Sequence, residues 1–214
     1  MQENAPRNST LGPGEVFFYS IPNFTLGRGH AANYRLLEIT TTYEDLYTVD
    51  LNQEADEPLR VFHNITFENN GNLPLTTGMA FVTDPVGRAV GQHKLHFTPR
   101  GDRTRLRVSG SPEVVVTQRA VTERTDAPRR ERDGSFRYQT TLTVTVENYK
   151  GDAIDLRLER AIQGELLDSS VAPVANGTTE TKSSYTTGNS YEWQLDVPAS
   201  GKQTLTITYA YWRR

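Results

Sequence analysis

Alternation is the dominant regularity along the chain. From Phe136 to Val146 the even positions read Phe, Tyr, Thr, Leu, Val and Val, and the odd positions from Arg137 to Glu147 are polar throughout. A β-strand turns successive side chains to opposite faces, so this run predicts a strand with one buried and one wet face. Tyr191, Trp193, Leu195 and Val197 repeat the pattern. Beyond Pro198-Ala-Ser-Gly201 come Leu205, Ile207, Tyr209 and Tyr211, alternating with Thr204, Thr206 and Thr208. Two such runs around a tetrapeptide of turn-forming residues predict a C-terminal hairpin.

Shorter runs predict further strands at Val16–Ser20, Tyr34–Thr42, Asp45–Leu51, Arg60–Glu68, Met79–Thr83, Arg105–Ser109, Val114–Val121 and Ala153–Ala161. Asn69-Asn70-Gly71-Asn72 and Asp84-Pro85-Val86-Gly87 supply turns, since Gly and Asn tolerate positive φ. The best helical candidate, Glu159 to Leu167, is broken by Gly164. Short strands at this spacing predict an all-β fold. Its expected form is two sandwich-like, immunoglobulin- or fibronectin-like antiparallel domains, or one extended β-sandwich. Residues 1–14 read as a linker, 15–111 as a first domain and 112–214 as a second, with the boundary at Gly110-Ser111-Pro112. Thr122–Ser135 and Asp168–Asn189, poor in apolar residues, read as exposed loops or hairpin tips. The core should contain Phe62 or its odd-numbered neighbours, and Tyr138, Leu142, Val144, Trp193, Leu195, Leu205 and Ile207.

Composition narrows the chemistry. Hydrophobic residues make up 36% of the 214 residues and charged residues 23%. That is low for a globular chain, but a sheet with one wet face needs an apolar residue only at every second position. The formal net charge of −3 supplies no basic field to draw nucleic acid. The absence of cysteine rules out disulfides, thiolate metal sites and a cysteine nucleophile. No run approaches the roughly 18 apolar residues of a membrane helix. Met1 to Gly14 is polar and lacks the apolar core of a signal peptide. The expectation is a chain that forms the C-terminal part of a longer polypeptide or partners a separate upstream chain.

Certain local motifs point to a family. Asn72-Leu73-Pro74-Leu75-Thr76-Thr77-Gly78-Met79-Ala80 is followed by Thr98-Pro99-Arg100-Gly101. Val146-Glu147-Asn148-Tyr149-Lys150 closes the long alternating strand, and Trp193, Val197-Pro198-x-x-Gly201 and a Thr-rich aromatic strand end the chain. From about Val16 to Trp212 the chain thus resembles the C-terminal half of the mucoidy-inhibitor-A-like family, a domain of unknown function. The resemblance brings no catalytic residue with it. It implies a link to the bacterial envelope or exopolysaccharide. Typical members also carry an N-terminal β domain and a coiled coil, and neither is expected within these 214 residues.

Each candidate site has a plainer structural explanation. His93 and His96 form His-x-x-His, but the surrounding residues read as strand, where this spacing points to opposite faces, and no third ligand is evident. His63 alternates with Val61, Ile65 and Phe67 and reads as a partly buried, hydrogen-bonded residue. His30 lies in Gly27-Arg-Gly-His30, which no Lys-Ser/Thr follows to make a phosphate loop. Ser111 and Ser135 lack the Gly-x-Ser-x-Gly elbow. Asn8, Asn23, Asn64 and Asn176 begin glycosylation sequons, but Ser and Thr are frequent enough for such matches to arise by chance. The Arg-rich stretch from Arg119 to Arg137 is offset by Glu123, Asp126, Glu131 and Asp133 and reads as a solvated loop.

The expected function is therefore that of a non-catalytic structural or protein-interaction module, with no enzymatic activity, cofactor or metal. Its expected place is the cell envelope or the extracellular space. The expected partner is another protein or a second copy, joined through an edge strand; the Thr faces at 141, 143 and 145 and at 204, 206 and 208 carry few of the lysines that block such pairing. The alternative is a carbohydrate-binding module, with a polysaccharide stacked on a platform of Tyr191, Trp193, Tyr209, Tyr211 and Trp212.

Overall fold

A computed structural model describes residues 21, 23–53, 58–125, 136–179 and 188–213. Among them there is no helix, and twelve strands form. In chain order these are β1 (Tyr43–Asp50), β2 (Val61–Glu68), β3 (Gly78–Thr83), β4 (Ala89–Leu95), β5 (Arg103–Gly110), β6 (Val114–Thr125), β7 (Phe136–Asn148), β8 (Ile154–Gln163), β9 (Glu165–Ser169), β10 (Ala175–Thr179), β11 (Gly188–Val197) and β12 (Lys202–Arg213). One sheet has six strands in the order β10-β11-β8-β1-β2-β5, a second has four in the order β6-β7-β12-β9, and β3 and β4 form a hairpin of their own. All pairings are antiparallel except β1 with β8.

The apolar residues on one face of each large sheet form a single core. The six-stranded sheet contributes Tyr47, Val49, Val61, Leu156, Leu158, Trp193 and Val197 among others, and the four-stranded sheet contributes Val116, Leu142, Val144, Val146, Leu205 and Ile207. This is a β-sandwich, whose two inner faces together exclude water. The core residues expected from alternation are present: Leu142, Val144, Trp193, Leu195, Leu205 and Ile207 are buried, and at the ambiguous position Val61 points inward instead of Phe62. Tyr138 is half-buried at the margin. The Trp193 indole N–H donates to Ser169 Oγ at 2.9 Å, so the largest core side chain leaves no polar atom unmet.

Several expectations are corrected. The boundary at residues 111/112 does not separate two cores. β1, β2 and β5 precede it, β8, β10 and β11 follow it, and all six share one sheet. The join is the parallel pairing of β1 with β8, from Tyr47 opposite Leu156 to Asp50 opposite Glu159. The C-terminal hairpin is not formed either. β11 pairs with β8 and β10, whereas β12 pairs with β7 and β9, so Pro198–Gly201 carries the chain from one sheet to the other. The two apolar faces cover each other across the core, which two strands paired side by side could not do. β7 and β12 are both interior strands, so their Thr faces are not edges.

The Tyr34–Thr42 run is not a strand. Asp168–Asn189 is not one loop: it includes the end of β9, all of β10 and the start of β11. The low-hydrophobicity stretch from Thr122 begins as strand, because β6 runs on to Thr125. The expected strand Val16–Ser20, the linker 1–14, the loop residues 126–135 with Ser135, and Asn8 lie outside the described residues. At the interrupted helix candidate, Gly164 separates β8 from β9 with φ of 134° and abuts the Ala210 backbone, a position that only glycine fills without strain.

Candidate functional site

Two buried asparagines organise the loops around residues 73–78, 98–101 and 148–150. Asn69 is fully enclosed, and its Nδ2 donates to the carbonyls of Leu73, Thr98 and Pro99 at 3.0 to 3.2 Å. It thereby ties the Leu73-Pro-Leu-Thr-Thr-Gly segment to the Thr98-Pro-Arg-Gly turn, and Leu75 and Thr98 exchange backbone hydrogen bonds beside it. These two segments are the base from which the β3–β4 hairpin leaves the sandwich. Asn148 acts in the same way at the other motif, where its Nδ2 donates to the carbonyls of Asp152, Val197 and Pro198. It pins the β7–β8 corner to the crossing between β11 and β12. Both asparagines are structural, and neither has a periodic signature in the sequence.

The hairpin has two unlike faces. Ala80, Val82, Gly91, His93 and Leu95 are half-buried, whereas Met79, Phe81 and Val90 on the other face and Val86 at the turn are exposed. Phe81 is 72% exposed and Met79 59%. The half-buried face approaches β5 at Gly91, where any side chain would collide with the Val108 carbonyl oxygen. The turn is closed by Asp84. Its carboxylate accepts from the Val86 and Arg88 backbone amides and from Arg88 Nε at 2.6 Å, and these bonds from Arg88 hold its pKa below the ordinary aspartate value.

Beneath the hairpin lies a groove of about 560 Å³ on the outward face of the six-stranded sheet. Its floor comes from β2 and β5. Arg103, Arg105 and Arg107 occupy alternate positions of β5 beside Glu68, Thr66 and Asn64 of β2. The Arg107 guanidinium lies over the Phe62 ring, 3.8 Å from its centroid. Asn64 is buried and committed to Leu46 O, Thr48 Oγ1 and Phe62 O. A sugar on this sequon would have to displace those bonds. The hairpin side of the groove is His93, Lys94 and His96. β4 ends at Leu95, so the alternation that would send the two histidines to opposite faces does not extend to His96, and both line the groove. Among the described residues no three His, Asp or Glu side chains gather as they would around a metal ion.

A second groove of about 340 Å³ adjoins the first, with Arg105 common to both. It holds Asp155, whose Oδ1 is enclosed without a hydrogen-bond partner among the described residues, while Oδ2 accepts from Gln194 at 2.8 Å. Burial, reinforced by Asp196, raises the Asp155 pKa.

The other sequence candidates fall elsewhere. His63 is half-buried, stacked on Tyr47 and bonded to Asp45 at 2.6 Å. His30 is exposed, its amide closing a turn onto Gly27 O. The aromatic platform is divided. Trp193 is fully buried and Tyr191 nearly so, both inside the core. Tyr209 and Tyr211 are half-buried and stack in a row with Tyr138 of β7, and Arg160 donates to the Tyr209 hydroxyl. Trp212 is half-buried one position further along β12. The Arg-x-Arg-x-Arg of β5 was the legible sign of a cationic face. Its partner Phe62 stands on another strand, so no local pattern announces the stack.

No family model, no curated protein and no solved structure matches the chain.

Proposed function

We propose that this chain is a non-catalytic protein-interaction module of the bacterial cell envelope that works through the β3–β4 hairpin, its partner strand being β3 of a second copy. The observation that carries the reading is the hairpin itself. It stands outside the core, yet it presents Met79, Phe81, Val86 and Val90 to solvent. Exposed apolar clusters of this kind mark association surfaces. Among the described residues β3 pairs only with β4, and its six residues Gly-Met-Ala-Phe-Val-Thr carry no charge and no proline. Such an edge is a template for strand addition, and pairing of β3 with its own copy gives a closed two-fold interface. The edges of the sandwich differ from β3: β9 is short and irregular in register, the exposed end of β6 carries Arg119, Glu123 and Arg124, β5 carries Arg103, Arg105 and Arg107, and β10 has five residues. The envelope assignment rests on the resemblance to the mucoidy-inhibitor-A-like family.

Sedimentation equilibrium tests this reading. The expected result is a concentration-dependent dimer that Phe81→Asp abolishes while leaving the melting temperature unchanged, because the ring is exposed. A protein that stays monomeric at every concentration, or a dimer indifferent to Phe81→Asp, contradicts it.

The carbohydrate reading keeps one supporting feature, the stacked row Tyr138, Tyr211 and Tyr209. It predicts saturable glycan binding lost in Tyr211→Ala.

A further inference from the structure

The geometry points to an oxyanion-binding site in the groove beneath the hairpin, built to take a small ligand bearing two or more carboxylate or phosphate groups. The chain as a whole is negative, but this groove is not. Among the described residues, Arg60, Lys94, Arg105 and Arg107 line it against Asp50 and Glu159. Those two acids are already engaged. Asp50 Oδ1 accepts from the amide and the side chain of Asn52, and Glu159 stands 3.7 Å from Arg105. Among the described residues, Arg60, Lys94 and Arg107 have no carboxylate at ion-pair distance, so the described lining of this concavity carries an excess of positive charge. Such an excess is costly in an empty groove and is relieved by an anion.

Arg107 is the most telling of the three. Its guanidinium lies over the Phe62 ring, 3.8 Å from the centroid, and among the described residues its enclosed Nε has no acceptor. A stacked guanidinium is already ordered in one plane, and its fork matches the two oxygens of a carboxylate or phosphoryl group. Lys94 offers a second positive charge from the hairpin side, so a ligand with two anionic groups could bridge hairpin and sheet. The groove volume lies within the range of small-molecule sites. His93 and His96 add polar nitrogens on the same side.

Isothermal titration calorimetry at low ionic strength, with citrate, inorganic pyrophosphate and neutral sucrose as probes, tests the site. The expected result is saturable one-to-one binding of citrate or pyrophosphate and none of sucrose. Affinity should fall about tenfold or more in Arg107→Ala and in Lys94→Ala, and stay unchanged in Arg35→Ala, which removes the same charge outside the groove. Arg107→Lys should bind more weakly than the parent, because lysine keeps the charge but not the fork. If Arg107→Ala melts early, the exposed Lys94 carries the test alone. Preference for citrate identifies a carboxylate ligand, and preference for pyrophosphate a phosphoryl one. Failure of both anions to bind, or binding unaffected by Lys94→Ala and Arg107→Ala, overturns the assignment. Phe81 is not among the residues that line the groove, so Phe81→Asp tests dimerisation separately from anion binding.

Discussion

Asn69 and Asn148 are almost fully enclosed, and each serves three carbonyls from one amide nitrogen. Removing a buried donor leaves acceptors without water or partner, at about 1–3 kcal/mol for each group left unmet. Asn148→Ala should therefore cost about 3 kcal/mol, read as a drop in the denaturation midpoint. Asn148→Asp should be worse at neutral pH, since a carboxylate would face the same carbonyls. A mild effect in both would remove Asn148 from this role. Asp155 gives the opposite case. Its pKa is raised in the folded state, so the folded form favours the proton, and the ionised carboxylate costs stability as pH rises through that raised value. Asp155→Asn should melt higher than the parent at neutral pH, and the difference should vanish near pH ~3, where the parent is also uncharged. An Asn variant no more stable at pH 7 would contradict that assignment. Residues of this kind are hard to see in a sequence. A lone Asn or Asp carries no period, and its partners lie up to 50 positions away.

At the level of elements, alternation revealed which face of each long strand is apolar. Leu142, Val144, Trp193, Leu195, Leu205 and Ile207 were legible on that basis, and all are buried. Which strand pairs with which was not legible. Trp193 and Leu205 belong to strands separated by a four-residue turn, and they enter the one core from opposite sheets. A period of two specifies a face but not a neighbour. The split aromatic platform follows directly, because the rings nearest the core end of each strand are the ones enclosed. Trp193→Ala should thus cost about 3–5 kcal/mol as a core truncation, whereas Tyr211→Ala, at the half-buried margin, should cost less. Equal and small effects would place Trp193 outside the core. The hairpin is an element of a different kind. Its inner face approaches the sandwich, and Gly91 sets the distance of approach. Gly91→Val should displace the hairpin and weaken dimerisation while the core melts as before. Unchanged association would show that the approach to β5 does not orient the hairpin.

For the whole molecule, the account is one sandwich with an apolar arm. The single core explains why a chain with 36% hydrophobic residues suffices: its apolar residues are concentrated on the two inner faces. The parallel β1–β8 contact joins the two halves of the chain, and nothing local in either strand signals a partner more than 100 residues away. Leu142→Asp, which buries an unpaired charge in this core, should unfold both halves together. The inner faces are consumed in folding, and the proposed association therefore falls to the arm. Hydrogen exchange followed by mass spectrometry at low and high protein concentration tests this division most directly. The account predicts that Gly78–Thr83 gains protection as concentration rises, while the core strands exchange slowly and equally under both conditions. Protection gained at β6 or β10 with β3 unaffected would contradict it.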